Sequence, residues 1–189
     1  MRIIAANAVL AVLAVLLSVP ALAQEHRELG PHVHGAGTLK IAIEGNKISM
    51  DFSAPANDII GFEHQPSTPE QRQTLTSASE SLAQPLKLFV VPAAAGCSVG
   101  SANVVFNAAD AKAEGVSTPP KGTEEAKHQH ADFDVDYVVN CTAADKIGSI
   151  SFAYFQQFAG ARKLTVTVVS DSGQSEFDVT RANSSHALK

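Results

Sequence analysis

The chain has 189 residues, 45% of them hydrophobic, with 14 basic and 19 acidic residues and a formal net charge of −5. That acidic balance, with no basic cluster, argues against nucleic acid and against anionic membrane surfaces as partners. Two cysteines and seven histidines, in a chain with no Trp and two Met, make thiol and imidazole chemistry the features to follow.

The N-terminus reads as a targeting segment. Met1 and Arg2 precede an apolar run from Ile3 to Val19, broken only by Asn7 and Ser18. Pro20 and the Ala21-Leu22-Ala23 pattern then fit a signal-peptidase site, with cleavage expected after Ala23. The run is near the lower limit for a membrane span, and Pro20 disfavours an uncleaved anchor. Residues 1–23 are therefore expected to leave as a signal peptide, and the mature chain to be exported with no membrane span. Arg2 is the only charged residue lost, so 166 residues remain with a formal charge of −6. That length suits one or two domains.

Thr38–Glu44 alternates Leu39, Ile41 and Ile43 against Lys40 and Glu44. After the Gly45-Asn46 turn, Ile48, Met50 and Phe52 repeat the alternation, which predicts a β-hairpin. Residues 54–66, with Pro55, Gly61 and Pro66, read as an irregular connection. Thr68, Pro69 and Gln71 supply a cap, a first-turn proline and a capping box for a helix that Pro85 ends. Strands are predicted around Leu86–Val91 and Ala102–Phe106, flanking the PAAAGCSVG stretch. Residues 109–127 lack apolar periodicity and are expected to be a mobile linker or long loop. Phe133, Val135, Tyr137 and Val139 mark a strand ending near Cys141. Ile150, Phe152 and Tyr154 mark another, followed by a turn in QQFAGA. KLTVTVVS and SEFDVTR form a second hairpin, and the RANSSHALK tail with His186 reads as disordered.

The fold class expected is α+β: mostly antiparallel hairpins with one clear helix. An N-terminal α+β half (24–108) and a mostly β C-terminal half (128–189) would flank the linker. Each half opens with H-x-H running into an alternating strand, HVHGAGTLKIAI and HQHADFDVDYVV, so a pseudo-duplication is one reading.

Cys97 and Cys141 are an even pair in an exported chain, which favours a disulfide closing a loop of 44 positions. A Zn–thiolate site and free buried thiols are the alternatives. No CxxC pair is present to support the former.

The histidines define the candidate site. His32 and His34, if extended, leave one strand face roughly 6.5–7 Å apart, a spacing that lets two imidazoles reach one Zn2+. His128 and His130 share that spacing. A solvated loop is the alternative for each pair, and a single H-x-H is a weak signal. Zn2+ takes four ligands, or three and water. His64, Glu63, His26 or the meeting of the two pairs would supply the rest, with His64 favoured as the third ligand to His32 and His34. Imidazole with carboxylate suits Zn2+ and, by affinity alone, Cu2+ or Ni2+. Cu(I) would want thiolate or thioether donors, and Met50 is a core position. No G-x-S-x-G, HExxH or Gly-rich phosphate loop is present, so an enzyme is not expected.

HVHGAGTLKIAIEG, FSAPANDIIGFEHQP, PAAAGC, ADFDVDYVVNC and FQQFAGARKLTVTVVSDSGQ together resemble the ZrgA-like family, zinc-regulated periplasmic zinc-binding proteins of Gram-negative bacteria. The resemblance covers most of the mature chain in order, with GFEH and HVHG its specific part. It implies a periplasmic Zn2+ store or chaperone serving zinc uptake, beside an ABC-type zinc importer and its periplasmic binding protein. Family members carry a long His/Asp/Glu-rich loop where this chain has only GVSTPPKGTEEAKHQH. That departure weakens the case for multi-ion buffering and leaves His32, His34 and His64 untouched. A metal-free cell-envelope interaction module is the other reading of the residues.

Overall fold

A computed structural model describes residues 33–108 and 130–188. The expected signal segment, the linker 109–127, and His26, His32 and His128 lie outside the described residues. The first hairpin forms as β1 (Ala36–Glu44) and β2 (Lys47–Pro55), antiparallel, with Leu39 opposite Phe52 and Ile41 opposite Met50. Gly45 turns it at φ 56°, a left-handed conformation that favours glycine.

The connection after β2 is more ordered than the sequence predicts. It contains a helical turn, α1 (Ala56–Ile60), which buries Ala56 and Ile60 on one side and ends at Gly61 with φ 81°. Five residues are too few for periodicity to show in sequence. The long helix α2 (Pro69–Leu82) follows with its capping box formed: Gln71 N donates to Thr68 Oγ1 (3.2 Å), and Thr68 N donates to Gln71 Oε1 (3.3 Å).

The strand predicted over 86–91 is helical in its first half. Pro85 does not only end the preceding helix; it starts α3 (Pro85–Leu88), leaving the two-residue β3 (Phe89–Val90). A proline's fixed φ suits the first helical position, and that preference outweighs the short apolar run. β4 (Cys97–Ala108) begins earlier than the strand predicted at Ala102, with a register shift between Val99 and Ser101. β5 (Ala131–Cys141) and β6 (Ser149–Phe152) lie where alternation places them. Tyr154 belongs instead to the helical turn α4 (Tyr154–Gln157). The second hairpin is β7 (Lys163–Ser170) with β8 (Gly173–Thr180). The tail read as disordered forms β9 (Ser185–Ala187), with His186 stacked on Phe177 at 3.5 Å between ring centroids.

Six strands form one sheet in the order β4-β5-β2-β1-β7-β8, and β3-β6-β9 form a second. Among the described residues, every pairing is antiparallel except β1 with β7. The protein is thus β-rich, with few helices and antiparallel-dominated sheets, consistent with α+β. Strands from both sides of residues 109–127 interleave in the large sheet.

The core lies on one face of that sheet. Leu39, Ile41, Phe52, Val135, Tyr137, Leu164 and Val166 are buried there, together with Leu82, Phe89, Phe152 and Tyr154 from the helices and small sheet. Phe52, Phe89, Phe152 and Tyr154 meet at ring-centroid distances of 5.3–6.2 Å. Tyr137 satisfies its buried hydroxyl by donating to Leu82 O at 2.8 Å, and desolvation pushes its ionisation far above the usual phenol range.

Arg181 ties the turn after α4 to β8. Its guanidinium donates to the carbonyls of Phe155, Phe158, Ala159 and Ala161. Arg181→Ala is expected to destabilise by about 1.5–3 kcal/mol, the range for hydrogen bonds to a charged group. Arg181→Lys should recover little, because one ammonium cannot span the set. Urea denaturation of the two variants checks this.

Candidate metal centre

Topology brings His34 and His130, the last histidine of each H-x-H stretch, to one place. β1 and β5 flank β2 and both run antiparallel to it, so their starting ends lie at the end of the sheet where β2 finishes. Thr38 sits opposite Ser53, and Asp132 opposite Pro55. His34 is just before β1 and His130 immediately before β5. Two strand spacings, about 9.5 Å, separate those strands, a gap the two imidazoles reach into from either side.

Glu63 fills the gap. From β2 the chain passes through α1, turns at Gly61, and returns Glu63 between the histidines. His34 Nε2 lies 3.3 Å from Glu63 Oε1, and His130 Nδ1 lies 3.3 Å from Glu63 Oε2. One donor atom from each of the three residues falls within 4.8 Å of the other two. Glu63 is 19% exposed, against 55% for His34 and 39% for His130, so the carboxylate forms the floor and the imidazoles an open rim.

Asn57 and Asp58 of α1 support His34. Gly35 N donates to both carboxylate oxygens of Asp58, at 2.8 and 2.7 Å. Asn57 Nδ2 lies 3.4 Å from His34 Nδ1, on the ring edge away from Glu63. Burial pushes the Asp58 carboxyl above its ordinary range, opposed by the Gly35 hydrogen bond.

The donor set fits a divalent metal ion. Glu63 Oε1 is buried and, with His34 Nε2 3.3 Å away, still receives no hydrogen bond, an arrangement that costs free energy in a buried acceptor. A cation between Glu63 and the imidazoles would satisfy that oxygen. Donors around tetrahedral zinc lie ~3.3 Å apart, so the present spacing needs only a small contraction. Three protein ligands then leave a coordination position open.

Of the residues singled out in sequence, His34, Glu63 and His130 come together. His64 does not join them: its Nδ1 lies 2.9 Å from Gln65 O, and its ring stacks on Phe62 with centroids 5.1 Å apart. His186 belongs to the small sheet. Sequence reasoning did not single out Asn57 and Asp58. The one signal it offered was their place in ANDIIGFEH, six and five residues before Glu63.

A β-rich domain that brings two imidazoles and a carboxylate to one strand end belongs to the class of proteins able to hold a divalent metal ion. Residues 31–188 match the family described as ZrgA family zinc uptake protein, and the chain belongs to that family. No curated protein matches the sequence. Family membership places the chain in zinc uptake. Among the described residues, no helix is long and apolar enough to cross a membrane.

Proposed function

We propose that the protein binds Zn2+ through His34, Glu63 and His130 and serves zinc uptake as a periplasmic store or chaperone, not as a catalyst. The carrying observation is the Glu63 carboxylate set between two imidazoles, 3.3 Å from a nitrogen of each, with one buried oxygen that receives no hydrogen bond. The exposed rim supports release as well as binding, since a recipient's ligand can approach the open position. His32 and His128, each two residues before a cluster histidine, are the proposed groups to complete the coordination sphere. Export by the signal segment 1–23 is part of the reading. So is delivery to the periplasmic binding protein of an ABC-type zinc importer.

Zinc titration of residues 24–189 by calorimetry is the test, and a saturable event is expected. Protons compete for the same imidazole nitrogens, so acidification should weaken that event. A chain that binds no zinc would return the argument to a metal-free envelope interaction module.

A further inference from the structure

We infer that Asp58 is the positioning residue of this centre, holding His34 in its metal-facing place before any ion arrives. The inference rests on the zinc reading for its purpose, but its geometry stands apart from it. His34 lies outside β1 and so is not held by the sheet's regular ladder. What fixes it is the next residue. Gly35 donates its N–H to both oxygens of the Asp58 carboxylate, while its carbonyl accepts from Arg162 N at 2.9 Å and Lys163 N at 2.8 Å. Gly35 has φ 86°, and a Cβ there would fall 2.9 Å from the Arg162 side chain, so the conformation and the close approach both require glycine. Both backbone polar groups of Gly35 are thus committed, one to α1 and one to the start of β7.

Asp58 is itself held. It is 4% exposed, and its backbone packs so closely on Gly160 that a Cβ on Gly160 would lie 2.6 Å from Asp58 O. The preceding residue, Asn57, contacts the His34 ring at Nδ1 through its carboxamide, and with that carboxamide turned so that its oxygen accepts from Nδ1–H, the Nε2 facing Glu63 is free to ligate. One helical turn therefore grips His34 twice, by backbone through Asp58 and by ring through Asn57. The same turn leads through Gly61 to Glu63, so two of the three donors share a single support. Partners behind metal-ligating histidines fix ring orientation, and their loss typically costs 10–100-fold in affinity.

The test uses residues 24–189 of the wild type, Asp58→Ala and Asp58→Asn. The first variant removes the acceptor. The second keeps an amide oxygen, the shape and the fold if Asp58→Ala does not fold. In the metal-free wild type the Gly35 amide should resist hydrogen exchange, and in Asp58→Ala it should exchange at least tenfold faster. Zinc affinity should fall about tenfold or more in Asp58→Ala and less in Asp58→Asn. The coupling should run through His34: in a His34→Ala background the Asp58 substitution should cost little further affinity, whereas in a His130→Ala background its full cost should remain. The visible spectrum of bound Co2+ should also change in Asp58→Asn, a signature that simple destabilisation of a still-folded protein would not produce. An unprotected Gly35 amide in the wild type, or an equal cost of Asp58→Asn in both histidine backgrounds, would overturn the inference. A wild type that binds no zinc but protects Gly35 through Asp58 would overturn the proposed function and leave the positioning of His34 standing.

Discussion

The His34→Ala/His130→Ala double variant is expected to lose the tightest zinc event almost completely. Zinc sites with four protein ligands bind with roughly 10–16 kcal/mol, or about 3 kcal/mol per donor, so removing two donors should weaken binding by about ten-thousandfold. Of the three cluster donors only Glu63 would remain, whereas Zn2+ takes four ligands, or three and water. His64→Ala is the informative control. Its ring stacks on Phe62 and its Nδ1 lies beside Gln65 O, so its removal should change zinc affinity by no more than about twofold, well below the 10–100-fold cost of losing even a supporting partner. Competitive titration against a chelator, which reaches tight constants, measures both variants beside the wild type. A His64→Ala chain that loses the tight event would restore the ligand set that spacing favoured.

The second large effect concerns the disulfide. Cys97 and Cys141 face each other in register on β4 and β5 and are bonded. Opening this loop of 44 positions should cost about 4 kcal/mol in the chain-entropy picture, lowering Tm by roughly 10 °C for a domain of this size. The zinc site should be indifferent. Cys141 ends the β5 strand that His130 precedes, and eleven residues of strand separate the two by about 35 Å. Thermal melts and zinc titrations of a Cys97→Ser/Cys141→Ser chain check both halves of this expectation. Unchanged stability would contradict the structural role, and lost zinc affinity in the folded variant would contradict the separation of the two features.

Much of the fold was legible because strand alternation is a two-residue signal that short segments still carry. Both long hairpins, β5 and the capped helix follow from it and from the Thr68-Pro69-Gln71 cap. What escaped were the pieces shorter than one or two periods. Ala56–Ile60 hid between Pro55 and Gly61, Pro85 began a helical turn as well as closing one, and the tail gained β9 from contacts no local pattern announces. The donor set was visible residue by residue, and the grouping was not. His34 and His130 meet because β1 and β5 are both neighbours of β2, a fact of sheet order that a sequence does not state. The choice between Glu63 and His64 turned on which way two adjacent side chains leave one loop, and α1, the element that leads into that loop, was among the pieces missed.

Anomalous scattering at the zinc edge from crystals of the mature chain grown with stoichiometric Zn2+ tests the central claim most directly. The expected map has one strong peak within about 2.0–2.2 Å of a nitrogen of His34, a nitrogen of His130 and an oxygen of Glu63, at the end of the sheet where β1 and β5 begin. A zinc peak that excludes Glu63, or one seated on His64 or His186 with the three-residue cluster empty, would contradict it.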